Sequence, residues 1–150
     1  MGVRLLKSPA YILAEYIIEV LGDMADPPST TWPLYRNSLP DGNGVPDNAG
    51  AVFDTSPLVD GRYMSGGVVV EHPGVQLRIR SKDQQTGYAK IEDLVRTLET
   101  VTNATFSTAT ETFVLQNVSR SSGIVSMGID EQRRWHHTAN FLLTVKETAN

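Results

Sequence analysis

Three histidines and a scatter of carboxylates are the side chains in this sequence that could do chemistry, and their spacing argues against a shared site. There is no cysteine, which removes thiolate nucleophiles, disulfides and cysteine-held zinc. His136 and His137 are adjacent on a segment that reads as a strand. Neighbours on a strand point to opposite faces, so the two imidazoles cannot converge on one ion. A composite site from His72, one of that pair and a carboxylate is the weaker alternative to one packed histidine and one solvated histidine. Asp41-Gly42-Asn43-Gly44 with Asp47 has the look of a calcium loop. Such a loop needs oxygen ligands at its fifth and twelfth positions, and here these are Val45 and Val52. Gly-x-Ser-x-Gly, Gly-Lys-Ser/Thr and Gly-x-Gly-x-x-Gly patterns are all missing. Glu92-Asp93 and Asp130-Glu131 read as solvated surface. The expectation is a protein with no enzymatic activity, no cofactor and no bound metal.

Arginine is the more informative residue. The chain has nine arginines against four lysines. Gln76, Arg78 and Arg80 share one face of a strand, with Lys82 beyond, and Arg120, Arg133 and Arg134 lie near strand ends. A guanidinium is planar, weakly hydrated and bonds in pairs, which suits interfaces. Gln76, Arg78, Arg80, Arg133 and Arg134 are therefore candidate subunit-interface residues. The alternative, pairing with acids of the same chain, is equally open. The formal charge of −4 and the lack of an aromatic–basic stripe disfavour a general nucleic-acid binder. Six acids face one arginine between Asp23 and Asp60, whereas six bases face four acids between Arg62 and Arg96.

The elements that must carry these residues are legible in part. Ser8-Pro9 reads as an N-cap with proline at the first helical position. Ile12/Leu13, Tyr16/Ile17 and Val20/Leu21 then form one stripe, ended by Gly22. Residues 23–66 are loop-rich, with short strands at 32–36 and 51–54 and a turn-dense segment between. Pro33 places the first of these at a strand start or sheet edge. From Gly66 to Lys82 a strand is expected, bent at His72-Pro73-Gly74, after which Val75, Leu77 and Ile79 alternate with Gln76, Arg78 and Arg80. A helix starting near Asp83 or Thr86 carries Tyr88, Ile91, Leu94, Val95, Leu98 and Val101 on one face. Strands follow at 112–119, 124–129 and 134–146. In the last, Trp135, His137, Ala139, Phe141, Leu143 and Val145 share a face.

One domain over residues 1–150 fits this length. The fold class is α+β: an antiparallel (mixed) sheet with two main helices on one face and a long loop between the first strands. No apolar run reaches the roughly 20 residues that span a bilayer. Nor does Met1-Gly2-Val3-Arg4 open a signal peptide, so folding in a cytoplasm is expected.

Pro73-Gly74-Val75-Gln76-Leu77-Arg78-Ile79-Arg80-Ser81, running into a helix near Tyr88-Ala89, resembles the central signature of the tail terminator (minor tail or minor capsid) proteins of long-tailed bacteriophages. The glycine-ended first helix, the Trp32-Pro33 strand, Ala51-Val52-Phe53-Asp54-Thr55 and the Arg134–Leu143 strand fit the same order. The likeness covers about Ser8 to Lys146. It implies a six-membered ring that caps the tail tube, stops its polymerisation and offers a face to the head-neck proteins. DNA would only pass through its hole. Its partners would be other copies of itself, the tail tube protein and a head-neck stopper or completion protein, with no membrane. It would be assembled in the host cytoplasm and reside in the virion, more in keeping with a non-contractile (siphophage) tail. The acidic 23–60 region and the arginine strand would form opposed sides of the subunit contact, so charge reversal at Arg78 or Arg80 is expected to impair assembly and spare the monomer. Much of 37–66 would order only when neighbours arrive. Alternatives are another neck protein of the head-completion or stopper type, or a small cytoplasmic ligand-binding or enzymatic α+β domain built on the histidines.

Overall fold

The computed structural model describes residues 7–42, 44–62, 69–108 and 111–149. Helix α1 (Pro9–Glu15) continues into a π-helical segment, Tyr16–Leu21. Strands β1 (Leu34–Arg36), β2 (Ala49–Arg62) and β3 (Val69–Ser81) precede helix α2 (Gln84–Glu99). Strands β4 (Thr102–Ser107), β5 (Glu111–Arg120), β6 (Val125–Ile129) and β7 (Trp135–Ala149) complete the chain. Residues 66–68 of the strand expected from Gly66 lie outside the described residues.

All seven strands form one mixed sheet in the order β1-β2-β3-β7-β5-β4, with β6 paired to β7 off that path. The β1–β2 pair is parallel and the other pairs are antiparallel. β7 is the spine: β3 runs along residues 135–142, β6 pairs with 135–138 and β5 with 141–149. β1 sits at the sheet edge, directly after Pro33, where a residue without an amide hydrogen costs no ladder bond.

The alternation on β3 and β7 is as its sequence dictates. Val75, Leu77 and Ile79 are buried on the face they share with His137, Ala139, Phe141 and Leu143. That face builds a single apolar cluster with Ile12, Leu13 and Ile17 of the first helical segment and Ile91, Leu94 and Leu98 of α2.

Five elements depart from their sequence expectations, each for a local reason. β2 is longer than 51–54, and β3 runs straight through His72-Pro73-Gly74. The irregularity sits on β2 instead, where the register jumps between Thr55 and Leu58 opposite Gly74 and His72. Ser56 and Pro57 thus face Pro73 in a bulge, so neither proline breaks the ladder. β4 had no sequence signal, because Phe106 is its only large apolar residue and most of the strand is exposed. In the first helix the turn widens to a π-helix, with the Gly22 amide donating to the Ile17 carbonyl at 3.0 Å. Its last turn is rotated and Val20 ends up 49% exposed rather than in the stripe. In α2, Tyr88 is exposed and Gly87 takes the inward position. A Cβ on Gly87 would lie 3.0 Å from the Ser81 side chain, so glycine lets the helix approach β3 and β7.

The caps follow sequence logic. The Ser8 hydroxyl accepts from the Tyr11 amide at 3.3 Å, and Asp83 accepts from the Thr86 amide at 2.9 Å. A second acid supports α1 from outside: Asp54 of β2 accepts from the Ala10 amide at 2.8 Å. Among the described residues no helix is long and apolar enough to cross a membrane.

Candidate functional site

Period two sends Arg78 and Arg80 to the face of β3 opposite the apolar cluster, beside His136 and Thr138 of β7. The loop between β1 and β2 folds back over the Arg80 end of that face. Arg80 is 1% exposed and its whole fork is spent on this loop. Nε donates to the Asp47 carbonyl at 3.2 Å. One terminal nitrogen reaches the Pro40 carbonyl at 3.0 Å and the Asp41 carboxylate at 3.1 Å. The other reaches the Pro46 carbonyl at 2.9 Å. Asn48 completes the seam by accepting from the Ser81 hydroxyl at 2.9 Å.

Arg134, also buried, clamps the same loop from the turn before β7. It pairs with Asp41 and with Asp130 at 3.0 Å. Asp130 is the hub of the tight turn into β7. Its carboxylate accepts from the amides of Gln132 and Arg134 at 2.9 and 3.0 Å and from His136 Nε2 at 2.8 Å. Burial alone would push the Asp130 carboxyl up, but the His136 and Arg134 bonds outweigh it and hold the carboxyl well below the usual range. The two guanidiniums differ. Burial, then repulsion from Arg134, lowers Arg80 below the ordinary arginine value. For Arg134 burial is outweighed by Asp41 and Asp130, and its value rises. Three of the four Arg80 bonds end on neutral carbonyls, whereas Arg134 faces carboxylates.

Between the loop and the turn before β7 lies an open cleft of about 300 Å³, lined by Leu39, Asp41, Arg78, Arg80, Asp130 and His136 among others. Asp41 and Asp130 are tied to Arg80 and Arg134, so this part of the cleft is a clamp rather than an acid–base pair, while Glu131 at the rim is exposed. Among the described residues no cluster of three or more histidine or acidic groups could hold a metal ion.

The five interface candidates thus have different surroundings. Arg80 and Arg134 spend their donors within the chain. Gln76 donates to Asn140 at 3.2 Å. Arg133 is exposed at a left-handed turn position (φ 62°), its amide bonded to the Asp130 carbonyl at 3.0 Å. Arg78 is half-buried with its guanidinium over the Phe53 ring at 5.6 Å. The acidic 23–60 region and the arginine strand meet inside one chain, through Asp41 and Asp47. Charge reversal at Arg80 would therefore break the fold as well as any subunit contact.

His136 and His137 do point to opposite faces. His137 is 1% exposed in the interior, its ring edge-on to Tyr88 at 6.0 Å. His136 is not solvated, as its bond to Asp130 shows. His72 bonds Thr144 at 3.2 Å, eight residues along β7 from His136. At roughly 3.3 Å per residue that is about 26 Å, so no site joins them. Sequence reasoning missed Asp41, Asp47 and Asp130 as partners of the arginines. The available signal was an arginine at a regular strand position following a proline-, glycine- and aspartate-rich loop.

No curated protein matches the chain. A family model described as bacteriophage tail terminator protein matches residues 17–147. That span takes in the π-helical segment from Ile17 on, β1 to β6, β7 as far as Glu147, the arginine clamp and α2, and the chain belongs to the bacteriophage tail terminator family, as a structural protein of the phage tail.

Proposed function

We propose that six copies of this chain close into a ring on the last ring of tail-tube subunits, ending tube growth and presenting the surface to which the neck of a filled head joins. The role is one of assembly, without enzymatic chemistry. Its partners are further copies of the chain, the tube protein and the head-neck protein, and the ring is built in the host cytoplasm. DNA only passes through the hole. The observation that carries the reading is membership of the terminator family across most of the chain. The build of the subunit is consistent with it. We take both helices to cover one face of the sheet, since their apolar residues share one cluster with the inward strand residues. This leaves a second, chemically different face. A ring needs such unlike surfaces to close head to tail.

The test is electron microscopy of particles from cells in which this gene carries an early stop codon. DNA-filled heads beside separate, abnormally long tails are expected. Normal-length free tails with emptied heads would assign the chain to the head side as a stopper. Normal infectious particles would end the assembly reading altogether.

A further inference from the structure

Among the described residues, Arg78 is the arginine of this sheet face that makes no ion pair. Arg80 and Arg134 are buried and paired with Asp41, Asp47 and Asp130. Arg78 lies two residues along the same strand, makes no ion pair among the described residues, and lines the cleft. Its Nε is shielded from solvent and has no acceptor among the described residues, and the same holds for Nδ1 of His136 in the same cleft. Stacking on Phe53 holds the guanidinium in place. Across the ladder from Arg78 come Thr138 of β7 and then Val125 of β6. Val125, on the Arg78 face, is 47% exposed. A preset cation with an unbonded Nε, beside an exposed apolar side chain, has the make-up of an interface centre.

The same chain exposes carboxylates outside any direct ion pair. Glu19 in the π-helical segment and Asp93 in α2 are exposed and make no ion pair among the described residues, although Asp93 feels the charge of Arg96 on its own helix. Lys90 of α2 donates to the Asp23 carbonyl at 2.6 Å, which ties the end of the π-helical segment to α2 and puts both acids on the helical layer. We propose that Arg78 receives a helix-borne carboxylate, from Glu19 or Asp93, of an adjacent copy of this chain. The idea rests on the ring reading above and deepens it by naming the contact. Donor and acceptor surfaces differ, so the contact is heterologous and repeats from copy to copy until the ring closes.

The experiment supplies variants in trans to phage whose own gene carries the stop codon. Arg78→Glu and Arg78→Met are expected to lower infectious yield by about 10-fold or more, the scale set by losing one partner of a desolvated charge pair. The methionine keeps an aliphatic stem over Phe53. Glu19→Lys with Asp93→Lys should fail likewise. Combining Arg78→Glu with Glu19→Lys and Asp93→Lys should restore yield and normal tail length. Melting temperatures of the purified variants establish that they fold. Should the Arg78 variants unfold, the helix pair, at exposed positions, carries the test alone. Complementation at the wild-type level by Arg78→Met, or by the helix pair, overturns the proposal. So does failure of the combined swap to restore what the separate changes lose. If the stop-codon parent makes long tails and these variants complement, this contact is wrong and the ring reading stands. If the parent makes normal particles, both fall.

Discussion

Two residues on neighbouring strands carry buried polarity of opposite kinds. Arg80 is fully used, with four bonds to Pro40, Asp41, Pro46 and Asp47. Arg80→Met strands three loop carbonyls and leaves Asp41 to Arg134 alone. A loss of about 3 kcal/mol is expected in chemical denaturation, the scale for breaking a buried charge pair, with faster proteolysis at 39–48. His137 is the reverse case, a buried ring with neither nitrogen bonded among the described residues. Burial, and secondarily His136, holds it below the ordinary histidine value of 6.5. Above that value it is neutral in both folded and unfolded chains. As pH falls, the unfolded chain takes a proton that the folded one resists, so stability is lost at up to about 1.4 kcal/mol per pH unit. His137→Leu is expected to match or exceed the wild type at pH 8. It should also flatten the decline between pH 7 and 5, read by urea titrations at each pH. A wild-type slope retained in the variant would remove His137 as its cause. The Asp130 carboxyl, held low, contributes stability that is present above the usual carboxylate value and lost only in stronger acid, outside that window.

At the level of elements, the β2–β3 pair shows how two prolines fit a long antiparallel ladder. Gly74 is the hinge of that arrangement. A Cβ there would meet the Ser56 carbonyl oxygen at 2.4 Å and the Thr55 hydroxyl at 2.5 Å. Gly74→Ala must therefore displace backbone, and a loss of roughly 1–3 kcal/mol is expected. Gly123→Ala, where nothing lies within 4 Å of the added carbon, is the control and should leave the melting temperature unchanged. Equal effects at the two sites would show that the bulge does not require glycine. The same pairing explains why the sequence suggested a bend at His72-Pro73-Gly74. Proline signals an interrupted ladder, but which strand carries the interruption depends on the partner, more than fifteen residues away.

For the whole molecule, the proposed capping role asks for a subunit whose two sides differ and whose ends do not invite endless growth. The loss of length control expected in the stop-codon particles belongs to this scale, because a cap of the kind proposed would act by occupying the growing end, whatever its own side chains do. The sequence by itself determined the local periods: the cap at Ser8, the start of α2 to within a turn, its stripe from Ile91 to Leu98, and the alternation on β3 and β7 with His136 and His137 on opposite faces. These depend on neighbours a few residues apart and on backbone geometry, so they are visible in any short window. It also carried the family likeness. Tertiary structure decided what those periods could not. The partners of Arg80 lie 33–40 residues away in sequence, and Asp41 is 93 residues from Arg134. Whether an outward arginine is buried under a loop or left unmatched depends on that distant segment. Arg78 and Arg80, indistinguishable by alternation, therefore separate only in three dimensions.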